Sequence, residues 1–401
     1  MKLADRLDNL RPSAIGEVFD LARRLRAEGR DIVDLSTGEP DFETDADVKK
    51  AGHQAITDGV TRYTECDGTV EIKQAVCRKF ARDNNLSFTP DQIVVGSGAK
   101  PLLGQLMMAL LNEGDEVIIP TPCWSSHVGM SEALGAVPVL LETAMADGFV
   151  LKPGKLEKAI NDRARLLVLC SPSNPTGSVY SAEDLKALAD VLRKHPDIWI
   201  LSDDIYEKIM FDQKPFVSLA NVAPDLIERT VIVNGVSKSH AMTGWRIGYA
   251  AGSTALMNGM RRLLSHVGGS PCSISQAAAI TALDGPQDAV QHRCLEYQRR
   301  RDAVLQALSG VRGLRPFKAS GAFYLFVDCG DLLGSTTPAG EVINSSADLA
   351  RYLLEAAGVA IVPGAAFYAD PYFRMSIANS LAELQSGCER IGQAILELRP
   401  N

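Results

Sequence analysis

No stretch of this chain has the length and apolarity of a membrane span. The richest run, Leu102 to Leu111, is broken by Gly104 and Gln105, whereas a span needs about 20 mostly apolar residues. The opening residues MKLADRLDNLRPSA carry charges where a secretory signal needs an apolar core, so a cytoplasmic location is expected. Basic charge is also scarce. With 41 Lys and Arg against 49 Asp and Glu, the net charge is −8, and there is no stripe of cations; neither nucleic acid nor a membrane surface is expected as a partner. An anionic ligand must instead be met by a few placed cations. The eight cysteines, at 66, 77, 123, 170, 272, 294, 329 and 388, form no CxxC pair and no Cys/His cluster at zinc spacing. Reduced, mostly buried thiols are expected, and no metal site. Low-complexity sequence is missing too, and 46% hydrophobic with 22% charged residues is the composition of a folded globular chain.

At 401 residues the chain exceeds the ~250 to 300 at which a single core stops growing, so more than one packed unit is expected. Short apolar runs at Ile93 to Gly96, Val117 to Pro120, Leu166 to Cys170, Ile198 to Ser202 and Thr230 to Asn234 alternate with amphipathic helical stretches. That alternation predicts an α/β fold with a mostly parallel sheet, and ligands at the loops after the strands' carboxyl ends. Capping-box-like starts predict helices from Ser181 to Arg193 and after Ser380. From about Leu295 the pattern becomes a long charged helix, a strand at Phe323 to Val327, a helix after Ser346 and strands near Val359 and Phe373. The expected division is a large domain over 46–290, a smaller α+β domain over 291–401, and an N-terminal segment, 1–45, packing beside the latter.

Chemistry concentrates in a few loops. Asn234-Gly-Val-Ser-Lys238-Ser-His-Ala-Met-Thr-Gly-Trp-Arg246 follows a β-like run and sets a lysine and an arginine eight residues apart among small residues. A confined lysine loses its proton readily and forms Schiff bases, while an arginine stays charged and forks onto a phosphate. Alone, such a pair is more often a solvated surface loop. Here Ser171-Pro-Ser-Asn174-Pro-Thr-Gly177 follows one strand and Ser202-Asp203-Asp-Ile-Tyr206 the next. Asn174 and Tyr206 have the groups to hydrogen-bond a phenolate oxygen, and Asp203 to pair with a protonated pyridine nitrogen. Each also has a plain reading, as turn, helix cap or core. Gly96-Ser-Gly-Ala-Lys100, before a helix, offers backbone amides to an anion. Proline at 101 stands where a dinucleotide loop needs glycine.

On these residues the chain resembles the class I/II aminotransferases of fold type I, close to the bacterial aspartate aminotransferase subgroup. The resemblance runs through Gly38-Glu-Pro-Asp-Phe42, Tyr63, Ser97 to Lys100, Trp124, Asn174 to Gly177, Asp203 to Tyr206, Ser237-Lys238, Met242 to Tyr249 and Phe373-Arg374-Met-Ser. It implies a pyridoxal 5′-phosphate cofactor held as a Schiff base by Lys238, the anchor and acid-base catalyst. It further implies that Asp203 keeps the pyridine nitrogen protonated, that Asn174 and Tyr206 hold the phenolic oxygen, and that Trp124 stacks on the ring. Ser97, the amides of Gly98, Ala99 and Lys100, Ser237 and Arg246 are implied to bind the phosphate, with Tyr63 reaching in from the second subunit of a homodimer. Arg374, helped by the Gly38 backbone and Asn174, is implied to grip the substrate's α-carboxylate. Phe42, Phe323 and Tyr324 are read as core.

Three positions depart from that pattern. Ile15 and Ala99 stand where aspartate-using members have a threonine and a lysine for the distal carboxylate, and His127 replaces an aromatic three residues after Trp124. A second carboxylate buried without donors is costly, so weak activity with aspartate is expected. The expected reaction moves the amino group of a neutral, hydrophobic or aromatic L-amino acid to a 2-oxo acid. A polar side chain read by His127 or His240, aspartate transamination despite Ile15 and Ala99, and a β-lyase or synthase reaction on the same scaffold are the alternatives. A cofactor-binding regulatory domain is disfavoured, because no basic recognition helix is apparent.

Overall fold

The computed structural model describes residues 2–7, 10 and 14–400, apart from the side chains of residues 5, 14, 15, 17 and 19. The chain's first short strand, β1 (Val33–Asp34), lies outside the main sheet. That sheet contains β2 (Ile93–Gly96), β3 (Glu116–Thr121), β4 (Val137–Glu142), β5 (Ala164–Cys170), β6 (Trp199–Asp203), β7 (Thr230–Gly235) and β8 (Gly248–Ala251). Their order across the sheet is β2-β8-β7-β6-β5-β3-β4, and only β8 runs antiparallel to its neighbours. The mostly parallel α/β fold expected from the sequence is the fold found.

The central strands are near-continuous apolar runs because both sheet faces are covered. Side chains alternate along β5. Leu166 and Val168 join the helices Ala99–Leu110 and Thr254–Val267 in one core, while Leu167 and Leu169 join the helix Ala182–Leu192 in another. The helix Ala182–Leu192 starts at the expected capping box, in which the Ser181 hydroxyl accepts from the Asp184 amide and the Asp184 carboxylate accepts from the Ser181 amide.

The remaining strands are β9 (Arg315–Pro316), β10 (Tyr324–Asp328), β11 (Val359–Ala360), β12 (Val362–Pro363) and β13 (Tyr372–Ser376). They form a four-stranded sheet, β12-β13-β10-β9, and a parallel pair in which β1 lies against β11 with Val33 opposite Val359. Arg374 sits in the middle of β13, opposite Phe326 of β10 and Val362 of β12. The core under this sheet also takes in Ile205, Tyr206 and Ile209, from the segment just after β6. The two sheets therefore meet at the carboxyl ends of the main sheet's strands, where parallel sheets collect ligands.

Candidate active site

Five strand ends face one cavity of about 330 Å³. β2 leads to Ala99 and Lys100, β3 to Trp124, β5 to Cys170 and Asn174, β6 to Asp203 and Tyr206, and β7 to Ser237 and Lys238. Gly38, Leu103, Ile205, Thr243, Arg246, Tyr324 and Arg374 complete the wall. Of the sixteen positions singled out as site residues or departures, eleven thus line a single space. Ser97 and Gly98 lie beside it, touching Arg246.

Lys238 is half-buried on a turn after β7, and its Nζ donates to the Gly38 carbonyl at 2.6 Å. Burial disfavours the ammonium and lowers its pKa to about 8. The residue can therefore offer a neutral amine near physiological pH. Arg246 stands in the left-handed region, φ 58°, and its guanidinium donates to the Thr243 carbonyl at 2.9 Å and the Ser97 carbonyl at 3.4 Å. Gly98 makes this approach possible. Its φ is 101°, and a Cβ there would lie 2.2 Å from Arg246 Nη2. The helix that follows begins at Ala99, so its amino end, the glycine turn and a guanidinium bound one place suited to an anion.

Arg374 is 2% exposed and lies between two rings, its guanidinium carbon 4.4 Å from the Tyr324 centroid and 4.9 Å from that of Phe367. Nη1 donates to Asn174 Oδ1 at 2.9 Å and Nη2 to the Ser36 carbonyl at 2.6 Å, while Nε has no partner. Among the described residues no carboxylate pairs with it. A buried cation lacking a counterion is costly, and burial does depress its pKa. The arrangement suits a carboxylate-bearing ligand. Asp203 is open in the complementary way, with one buried oxygen, Oδ1, unpartnered. A buried carboxylate oxygen needing a donor, a buried amine and an anion cradle together fit pyridoxal phosphate.

Three sequence readings change. His127 does not reach a substrate side chain: it is 1% exposed on the helix Ser125–Ala133, behind Trp124, and its Nε2–H donates to Asp203 Oδ2 at 3.1 Å. Three residues beyond Trp124, the helical turn carries position 127 under the sheet end. His240 does not reach the cavity either. It is buried, its Nδ1 is 2.8 Å from the Ser239 hydroxyl, and burial lowers its pKa to about 4. Tyr324, read as core, is buried but also lines the cavity, with its hydroxyl 2.8 Å from that of Tyr206. Alternating residues in β10 gave no sign that this one faces an opening. Phe42 and Phe323 do pack in the core. Tyr63 is 99% exposed. Ala99 lines the cavity as a methyl group, and the side chain of Ile15 lies outside the described residues.

Comparison with known proteins agrees with this geometry. The family model described as aminotransferase class I and II matches residues 30–391. The chain is 46% identical to a protein of Rhizobium meliloti named aspartate aminotransferase, over 98% of this chain and 96% of that one. It is 45% identical to a protein of Rickettsia felis named probable aspartate/prephenate aminotransferase, with the same coverage. A crystal structure of the aspartate aminotransferase from Rhizobium meliloti superposes with a TM-score of 0.97 at 46% identity, covering all of both chains.

Proposed function

Since the chain belongs to the class I and II aminotransferases and is a pyridoxal-phosphate-dependent transaminase, we propose that Lys238 carries its cofactor and that its preferred donor is an L-amino acid with an uncharged side chain. The observation that carries the cofactor assignment is the single cavity that brings the Lys238 amine, the unpartnered Asp203 Oδ1 and the Arg246 anion cradle together. When bound, the cofactor supplies a carbonyl that condenses with amines and a ring that accepts the electron pair left at the substrate's Cα.

The chain's own groups then divide the work. Lys238, neutral over part of the working pH range, would hold the cofactor through its amine and serve as the group that takes and returns the proton at the substrate's Cα. Asp203 Oδ1 would keep a proton at the ring nitrogen, and Asn174 and Tyr206 would hold the phenolic oxygen. Trp124 stacks on the ring and excludes water from its face. Ser97, the amides of Gly98, Ala99 and Lys100, Ser237 and Arg246 hold the phosphate. Arg374 binds the α-carboxylate as a fork, so that Cα is presented in one orientation. Tyr63, fully open in one chain, completes the phosphate site of a second copy in a homodimer.

The uncharged donor rests on Ala99, which puts a methyl group, and no hydrogen-bond donor, on the cavity wall. A dicarboxylic donor such as aspartate is the second reading. It is favoured by Lys100, whose Nζ lies 5.2 Å from the Trp124 centroid at the cavity edge, and by the names of the relatives. Absorbance spectra of wild type and Lys238→Ala, with and without amino acids, test the cofactor assignment. Wild type should show a visible band that amino donors bleach, and the variant should lack it; an unchanged band in Lys238→Ala refutes the role of Lys238. A panel of donors tests the substrate: kcat/KM for aspartate above that for leucine and phenylalanine would decide for the second reading.

A further inference from the structure

Tyr324 has no part in the reading above, yet its hydroxyl lies where separate segments of the chain converge. It is 2.8 Å from the Tyr206 hydroxyl, and a Cβ on Gly38 would stand 2.5 Å from it. The Tyr324 ring lies under the guanidinium of Arg374. Both hydroxyls are buried, and of the two only one can donate to the other. If Tyr206 donates into the cavity, it must accept from Tyr324. A hydroxyl that accepts a hydrogen bond is polarised into a stronger donor.

We propose that Tyr324 is a positioning residue: it donates to Tyr206, fixes the direction of the Tyr206 hydroxyl, and strengthens the hydrogen bond that Tyr206 gives to the cofactor's phenolic oxygen. This rests on the reading of Tyr206 given above. The phenolic oxygen carries most negative charge when the neighbouring Schiff-base nitrogen has lost its proton, so a donor to it favours the deprotonated form. Tyr206 and Tyr324 together therefore lower the pH midpoint of the visible absorbance change. The other charged or titratable groups facing the pair are Arg374 and Cys170, with Lys238 and Asp203 across the cavity.

The test is a spectrophotometric pH titration of cofactor-loaded wild type, Tyr324→Phe, Tyr206→Phe and the double variant. Phenylalanine keeps the ring beneath Arg374, so KM for amino donors should stay within about twofold in Tyr324→Phe. The midpoint should rise by about half a pH unit in Tyr324→Phe and by more in Tyr206→Phe, as the loss of one net hydrogen bond implies. If Tyr324 acts through Tyr206, the double variant should match Tyr206→Phe alone. An unmoved midpoint in Tyr324→Phe, or shifts that add in the double variant, would overturn the coupling and leave the cofactor reading intact. An unmoved midpoint in Tyr206→Phe would overturn both.

Discussion

His127 and Asp203 are joined by a buried hydrogen bond of 3.1 Å, from the imidazole Nε2–H to Oδ2, which leaves Oδ1 as the oxygen without a partner. The carboxylate is thereby held in one rotation, with the open oxygen reserved. In His127→Phe that restraint is lost and Oδ2 is orphaned too. The dissociation constant for pyridoxal phosphate should rise about tenfold, from a cost of roughly 1–3 kcal/mol for an unpaired buried acceptor. Fluorescence titration of the apoenzyme measures it, and unchanged affinity would show that His127 only fills space.

Lys238 reacts with a carbonyl as the neutral amine, whose share grows as pH rises through its pKa. Burial places that pKa near 8, below the ordinary lysine value of 10.5. The rate of cofactor capture by the apoenzyme, followed by stopped-flow absorbance, should climb to about pH 8 and level off above it. A rate still climbing steeply at pH 10 would contradict a buried, depressed amine.

Gly98 holds φ at 101° and leaves room for Arg246 Nη2. Gly98→Ala imposes both backbone strain and a clash on the arginine proposed for the phosphate, so cofactor affinity should fall at least about tenfold, at a cost of roughly 1–3 kcal/mol. Phosphate-free pyridoxal, which makes no use of that cradle, should be bound almost as by wild type. Equal losses for the two compounds would place the damage elsewhere.

Ala99 offers the substrate a methyl group. Ala99→Lys adds a cation on the cavity wall, and kcat/KM for aspartate should increase about tenfold or more relative to leucine, a charge-assisted hydrogen bond contributing about 1.5–3 kcal/mol. A ratio that does not move would mean that another position sets the side-chain preference.

Much of this was legible in the residue pattern because parallel strands buried on both faces must be apolar. Leu166 to Cys170 and Thr230 to Asn234 stand out for that reason. β4 escaped notice as a half-exposed edge strand, VPVLLE, with its faces mixed. β8 escaped because its four residues, GYAA, are small and lie inside a motif that reads as loop. The site residues were legible where loop chemistry is unusual, as at Asn174, Asp203 and Lys238. Position along a helix or strand was not. His127 sits next to Trp124 in sequence but behind it in space, and Tyr324 combines a core strand with a cavity-facing hydroxyl.

The contacts that close the cavity join distant parts of the polypeptide: Lys238 to Gly38 and Arg374 to Asn174 each span 200 positions, and Arg374 to Ser36 spans 338. Only a stretch that runs from Ser36 to Arg374 holds them all. During synthesis the lysine and the aspartate emerge well before the arginine, and the cavity closes only once Arg374 has been made.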